Sequence, residues 1–250
     1  MGSLINQPLL ALDFLACPKA IYDVVGGGID GGRNGVGESQ SIELSGGGLV
    51  TATLEDCKIV SKEQLRYINK LGARLNGSFR NIIVPIPTDW HGPFPTIGKL
   101  PTPIVRGIPH SDGSLFSDDS GYSQATVWGT VLSGAALNAG QISIRVYDAS
   151  RDIDGDWFSI EHSVKGWRAY RDWEIVKTAS GTQDVSGYNR TYSDYIASIQ
   201  PPLRQAVTAG ARVEFARPRF IAKFKSDFTL PSVIEAFFVT EQTIQFSEAF

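Results

Sequence analysis

Chemically reactive side chains are scarce in this 250-residue sequence, which contains two cysteines, three histidines and one methionine. A single pair of cysteines excludes a disulfide framework, and we expect Cys17 and Cys57 to be free buried thiols rather than one bridge. His91, His110 and His162 have no second His or Cys at the spacing of metal ligands. The sequence therefore predicts neither a metal site nor a bound cofactor.

Concentrated positive charge and long apolar runs are also missing. The formal net charge is −3, and Lys and Arg are scattered singly, which argues against a surface for nucleic acid or for an anionic membrane. No apolar stretch is long enough to span a bilayer, and the first residues lack the basic start of a secretory signal. We therefore expect intracellular synthesis without membrane insertion.

A glycine-rich stretch formally matches a dinucleotide-binding motif. Gly26, Gly28 and Gly31 have the GxGxxG spacing and follow the strand-like segment IYDVV. A phosphate-binding loop needs a helix that begins at the third glycine, but the further glycines that follow would destabilise any helix there. We interpret the stretch as a flexible surface loop rather than as a nucleotide site.

Asp152, Asp154 and Asp156 imitate a calcium-binding loop. An EF-hand loop needs a glycine after its third aspartate, whereas here the glycine is at position 155, and no glutamate follows at the required distance. A solvated turn is the favoured interpretation. The sequence contains no GxSxG nucleophile motif and singles out no pair of carboxylates for glycoside hydrolysis, so we expect no catalytic residue.

Alternating apolar residues are the main positive signal. In the segment 141–148, Ile142, Ile144 and Val146 fall on one face, as in a half-buried strand. The segment 167–177 alternates in the same way. Its predicted buried face consists of Trp167, Ala169, Trp173 and Ile175, and its predicted wet face consists of Arg168, Tyr170, Asp172 and Glu174. We expect a β-meander built around these two strands.

One helix is well specified, over residues 62–76. Ser61 and Gln64 form a capping box at its start, and Val60 and Leu65 can form a hydrophobic staple. The apolar stripe of the helix consists of Leu65, Ile68, Leu71 and Leu75. Such a stripe predicts that the helix packs on a sheet.

The sequence predicts a mainly β protein with two domains, each resembling a barrel or a sandwich, and with the helix packed on the first sheet. Seven of the thirteen prolines lie between Pro85 and Pro109, and this break separates the domains. The predicted first domain is 1–100 plus 226–250, the linker is 101–122, and the inserted second domain is 123–225.

Within the first domain, residues 41–55 are predicted to form a hairpin around glycines 46–48. The C-terminal segment is rich in Val, Ile, Phe and Thr, and so many apolar side chains would be poorly solvated on a loose terminus. We therefore expect the C-terminal strand to return to the N-terminal sheet.

Several segments resemble the distal tail proteins of long-tailed bacteriophages and prophages. These segments are ALNAGQISI, DWFSIEHSVKGWRAYRDWEIV, SIQPPLRQAVTAGARVEFARPRFIAKFKSD and the closing QFSEAF. The resemblance covers residues 125–250 well and residues 1–55 loosely, and the middle of the chain is not matched. It implies a non-enzymatic virion protein with a ring-forming β domain and an inserted second β domain.

The resemblance also implies a hexameric ring in the virion tail, made in the cytoplasm of the host bacterium. Its implied partners are further copies of the chain, the tail tube protein, the tail-tip hub protein, and fibre or receptor-binding proteins, with DNA passing only through the lumen. Long strands rich in β-branched and aromatic residues leave edges that a neighbour can pair. The predicted subunit interface consists of Phe237, Val239, Ile244, Phe246, Phe250, Ile42 and Leu44.

A carbohydrate-binding or carbohydrate-hydrolysing β-sandwich is the alternative. It requires a concave site where aromatic side chains such as Trp157, Trp167 and Trp173 are exposed and can stack on sugars. The alternation described above places Trp167 and Trp173 in the core, which favours the ring protein.

Overall fold

The structure, a computed structural model, describes residues 7–75, 77–88, 91–94, 114, 117, 127–185, 188–231, 233 and 240–250. Nearly all of the predicted linker 101–122 lies outside these ranges. The described part of the chain is mainly β and forms an open sheet and a closed barrel, so the predicted fold class is confirmed.

Two helices and eleven strands make up this part of the chain. The helices are α1 Leu12–Leu15 and α2 Lys62–Leu75. The strands are β1 Lys19–Arg33, β2 Ser39–Ile59, β3 Ile82–Pro85, β4 Trp128–Val131, β5 Gln141–Tyr147, β6 Trp157–His162, β7 Gly166–Val185, β8 Tyr188–Gln200, β9 Arg212–Glu214, β10 Arg219–Phe224 and β11 Thr240–Glu248.

The first domain is an antiparallel sheet of five strands in the order β1-β2-β11-β10-β3. Helix α2 packs on it through Ile68, Leu71 and Leu75, which share one core with Leu54 and Phe246 of the sheet. The predicted helix and its apolar stripe are therefore confirmed.

The capping box at the start of α2 is also confirmed. Ser61 Oγ accepts a hydrogen bond from the Gln64 amide at 3.1 Å, and Gln64 Oε1 accepts one from the Ser61 amide at 3.1 Å. Gln64 does more than the motif requires, because its Nε2 donates to the Phe14 carbonyl at 2.8 Å and ties α1 to α2. Val60 is 65% exposed, which argues against the predicted staple with Leu65.

The C-terminal strand returns to the first sheet as predicted. β11 lies inside the sheet, between β2 and β10. β10 belongs to the same sheet, although the predicted boundary placed residues 219–224 in the second domain. The strand pairing therefore moves the end of the inserted domain to a position before Arg219.

The glycine-rich stretch forms part of a long strand instead of the predicted surface loop. β1 runs through Gly26, Gly28 and Gly31 and pairs with β2 as far as Arg33. The turn follows only afterwards, where the Asn34 amide donates to the Glu38 carbonyl at 2.9 Å. No helix begins at the third glycine, so the stretch lacks the geometry of a phosphate-binding loop.

The predicted hairpin over residues 41–55 is wrong because β2 is one strand. Val25 pairs with Leu49 whereas Gly27 pairs with Leu44, so residues 45–48 of β2 form a bulge opposite a single residue of β1. The three glycines of this bulge have φ values of 53°, 87° and 91°. Glycine adopts positive φ without the steric cost that a Cβ would bring.

Cys17 and Cys57 form a disulfide, so the prediction of two free thiols is wrong. The register of the first two strands explains the pairing. Lys19 pairs with Glu55 in antiparallel fashion, and Cys17 and Cys57 each lie two residues further out, so they face each other. The bridge spans a sequence separation of 40 residues. Loop-closure entropy for that length stabilises the fold by about 4 kcal/mol.

The second domain is a closed antiparallel barrel in the order β4-β5-β8-β7-β6-β9. Ile142, Ile144 and Val146 of β5 point into its core and are at most 2% exposed, which confirms the predicted face of this strand. Tyr170 and Phe158 fill the same core from β7 and β6.

The predicted faces of β7 are wrong in several positions. Arg168, Tyr170 and Asp172 are buried although their face was predicted to be wet, and Trp173 is 64% exposed although it was predicted to be core. The first part of β7 is covered on both faces, by the barrel core and by the first sheet. A β-bulge between Asp172 and Glu174 then shifts the alternation by one residue.

Candidate functional site

The two domains meet at a buried cluster of three charged side chains. Arg168 of β7 and Arg204, which follows β8, both form ion pairs with Glu248 of β11, at N–O distances of 3.0 Å. None of the three side chains is more than 8% exposed. Burial lowers the pKa of Arg168, and the carboxylate of Glu248 opposes that shift. We call this cluster the charged joint.

The glycine bulge of β2 docks against the charged joint. Arg204 donates to the Gly46 carbonyl at 2.9 Å and also to the Gly48 carbonyl. A Cβ atom on Gly47 would lie 2.0 Å from Cδ of Pro202. The absence of side chains in the bulge therefore allows the barrel and the sheet to touch.

A neutral histidine lies next to the charged joint. His162 Nε2 is 2.7 Å from the Tyr170 hydroxyl, which accepts a hydrogen bond from the Arg204 amide at 3.1 Å. The hydroxyl can donate its proton to His162 Nε2 when that nitrogen is the unprotonated one of the neutral ring. Burial, followed by the charge of Arg168, lowers the pKa of His162 to about 4. His162 and Tyr170 are buried and paired with each other and with the Arg204 amide, which suits a structural role better than a reaction site. In the adjoining charged joint, Arg168 Nη2 is buried without a hydrogen-bond partner among the described residues.

The acidic loop 152–156 is held by cations of the protein. Arg151 binds Asp156 through two hydrogen bonds of 2.7 and 2.8 Å. Lys177 Nζ and the Tyr195 hydroxyl both donate to Asp152 Oδ1, at 2.7 and 2.6 Å. Across the described residues, no group of three or more His, Cys, Asp and Glu side chains could hold a metal.

A cleft of about 310 Å³ lies between the barrel and β1. Its lining includes Asp23, Arg171, Trp173 and Gln200, all of them exposed. The buried carboxylate of Asp172 lies in its wall and accepts hydrogen bonds from two backbone amides, at 2.7 and 3.0 Å. We call this site the Trp173 cleft. The sequence pointed to Trp173 as a residue that can stack on sugars but placed it in the core, because the bulge that exposes it leaves no signal in the alternation.

The hairpin of β1 and β2 carries exposed apolar side chains. Ile21, Val25 and Ile29 of β1 are 40–52% exposed, and Ile42, which pairs with Ile29, is 55% exposed. β1 is the first strand of its sheet, so its outer edge pairs with no other strand in the part of the chain that the structure describes. We call this surface the β1 edge.

Two of the predicted interface residues are core residues. Ile244 and Phe246 of β11 are fully buried against α2 and the neighbouring strands. Because β11 has partners on both sides, it offers no free edge and these side chains offer no surface to another subunit.

The other predicted interface residues have varied positions. Ile42 and Phe250 are exposed, by 55% and 56%. Phe237, Val239 and the side chain of Leu44 lie outside the described residues. The proposed interface therefore rests on Ile42 and Phe250 among the side chains that the structure describes.

No protein-family model matches the chain, and no curated protein matches it. The resemblance to phage distal tail proteins therefore stays a prediction. Among the described helices, none has both the length and the apolar character needed to cross a membrane.

Proposed function

We propose that this protein is a structural ring protein at the distal end of a phage tail, where it joins the tail tube to the tail-tip hub and to host-recognition proteins. The observation that carries the proposal is the β1 edge. A 15-residue strand with a free edge and adjoining apolar side chains is a surface that monomeric proteins normally protect.

The β1 edge also explains how copies would close into a ring. The sheet is bounded by β1 on one side and by the short β3 on the other. The outer side of β3 is paired with the N-terminal segment, because Ile83 accepts from the Leu10 amide at 2.8 Å and donates to the Pro8 carbonyl at 2.9 Å. The two ends of the sheet are therefore unlike surfaces. An interface between unlike surfaces is head-to-tail, and repeated by a rotation it closes into a ring. The number of six subunits comes from the family resemblance alone.

The experiment compares oligomeric state in variants of the hairpin. Replacing Ile29 by Lys places a charge in the centre of the apolar surface, where desolvation should weaken assembly by about tenfold or more. Val164→Lys is the matched control, because Val164 is 66% exposed and lies in the turn between two barrel strands. Light scattering at micromolar concentration and electron microscopy measure the assembly, with and without tail tube protein.

The expected result is a closed ring for the wild type and for Val164→Lys, and smaller species for Ile29→Lys. A wild-type protein that stays monomeric at every concentration, including with tube protein present, contradicts the proposal. A ring that Ile29→Lys leaves intact contradicts only the role given to the β1 edge.

A further inference from the structure

Trp173 is largely exposed and lies at a β-bulge in strand β7 of the barrel. Asp172 pairs with Ile199 and Glu174 pairs with Ser198, so Trp173 is the extra residue of a β-bulge. A bulge redirects the side chain that it carries, and here it directs the indole toward solvent beside a cleft of about 310 Å³. That volume is at the lower end of the range of about 300–1,000 Å³ for small-molecule sites.

The polar side chains of the Trp173 cleft are largely without protein partners in the described part of the chain. Arg171 donates through Nε to the Gly155 carbonyl at 3.4 Å, and its guanidinium carbon lies 6.0 Å from the centre of the Trp157 ring. Its two terminal nitrogens form no hydrogen bond with the described residues. Asp23 accepts from the Val24 amide through Oδ1 only, at 2.8 Å. No described residue forms a hydrogen bond with the side-chain amide of Gln200, which also lines the cleft. The cleft therefore combines an indole with a guanidinium, a carboxylate and an amide that can still form hydrogen bonds with a ligand.

A second cleft on the barrel provides a contrast. It has a volume of about 590 Å³ and lies between the β7–β8 hairpin and the loop after β5. Its charged groups bind each other, as Asp152 does with Lys177 and Asp148 with Arg190. A ligand there would compete with existing ion pairs, whereas a ligand in the Trp173 cleft would not.

We propose that the Trp173 cleft binds a neutral saccharide. A sugar ring has an apolar C–H face that can stack on an indole, and hydroxyl groups around its edge that both donate and accept hydrogen bonds. Arg171 supplies donors, Asp23 an acceptor and Gln200 both. The charges of Arg171 and Asp23 offset each other, and the carboxylate of Asp172 is occupied by two backbone amides, so the cleft offers no cluster of like charges to an ionic ligand.

A nucleic acid or a protein segment fits this chemistry less well. A nucleic acid would require several cations for its phosphates, and the cleft offers one in Arg171. A protein hot spot places its tryptophan among apolar groups that exclude water, whereas Trp173 shares this cleft with a carboxylate, a guanidinium and an amide. The saccharide site does not depend on ring formation, so the two proposals can fail separately.

The test measures binding of neutral saccharides to the full chain. Saturation-transfer NMR with glucose, galactose, rhamnose, N-acetylglucosamine and their disaccharides detects millimolar binding. We expect at least one of these sugars to bind. Trp173→Ala should weaken that binding by about tenfold, and Trp173→Phe, which keeps an aromatic face, should weaken it less.

Val176→Ala is the matched control, because Val176 is 56% exposed on the same strand but does not line the cleft. It should leave the affinity unchanged. Three outcomes overturn the proposal: no saccharide of the panel binds at tens of millimolar, binding survives Trp173→Ala, or binding is lost equally in Val176→Ala. A change of oligomeric state in Trp173→Ala, without saccharide binding by the wild type, would identify the cleft as a protein contact instead.

Discussion

At the scale of single residues, Asp172 is the carboxylate most affected by its surroundings at the Trp173 cleft. Burial raises its pKa to about 6 from an ordinary value of 3.8, and the nearby charge of Asp156 contributes, while the amides of Gly155 and Asp156 oppose the shift. Between pH 4 and 6 the folded protein therefore binds a proton at Asp172 that the unfolded chain has released. The contribution of Asp172 to stability must fall as the pH rises through this window.

We predict that Asp172→Asn removes this pH dependence. The free energy of unfolding of the wild type, measured relative to the variant, should fall by about 2 kcal/mol from pH 4 to pH 7. Urea denaturation at four pH values in that range measures the difference. A difference that stays constant over the range would show that Asp172 has an ordinary pKa.

The titration of His162 changes the stability of the protein with pH in the opposite direction to that of Asp172. The free energy of unfolding of the wild type, followed against pH, therefore does not reveal the titration of either residue. The pKa of His162 in the folded protein is lowered from 6.5 to about 4. The contribution of His162 to stability is therefore fully present above pH 6.5 and is lost as the pH falls toward 4. The two contributions nearly cancel between pH 4 and 6. Comparison of the wild type with Asp172→Asn isolates the carboxylate, because His162 is present in both proteins.

At the scale of elements, the start of α2 shows how one side chain can link two segments. We predict that Gln64→Ala destabilises the protein by about 2–3 kcal/mol, because Gln64 loses its bonds to the Val60 and Ser61 amides and leaves the Phe14 carbonyl without its donor. Ser61→Ala removes only the hydrogen bond to the Gln64 amide and should cost about 1 kcal/mol.

Thermal or urea unfolding of the two variants measures this ranking. Glu63→Ala provides the control, since Glu63 lies in the same helical turn but is exposed. An equal loss in Gln64→Ala and Ser61→Ala would show that the three side-chain hydrogen bonds of Gln64, including the one to the Phe14 carbonyl, together contribute no more than the single bond of Ser61.

The elements also show which features of the fold could be read from the sequence. The α2 helix and the inward face of β5 were predictable because capping and alternation are local signals. The alternation of β7 was misleading, because a closed barrel packed on a sheet covers both faces of a strand, and because the bulge at Trp173 has no local signature.

Long-range register accounts for other differences between prediction and structure. The disulfide follows from the pairing of Lys19 with Glu55, which local patterns do not reveal. Glycines 46–48 resemble a turn locally, yet they form a bulge because Arg204 and Pro202 of the other domain dock on them. The Trp173 cleft combines Asp23 with residues about 150 positions away, so only the fold could bring it together.

At the scale of the whole molecule, the charged joint determines whether the barrel and the sheet unfold together. Glu248 accepts hydrogen bonds from Arg168, from Arg204 and from the Val50 amide, so β11 connects β7, the segment after β8 and β2 through one carboxylate. We predict that Glu248→Gln lowers the free energy of unfolding by about 3–5 kcal/mol, because two guanidinium groups remain buried without a negative partner. The cost arises at the contact between the domains and should separate their unfolding transitions.

Urea denaturation followed by circular dichroism and by tryptophan fluorescence tests this prediction, since four of the five tryptophans lie in segments 128–173 of the barrel. In the wild type the two signals should change together. In Glu248→Gln they should change at different urea concentrations, because the barrel no longer shares a paired charge with the sheet.

Glu55→Gln is the control, since Glu55 pairs with Lys19 in an exposed position, and it should leave the midpoint of urea unfolding unchanged. A Glu248→Gln protein that unfolds in one transition at the wild-type urea concentration would show that the joint does not couple the domains.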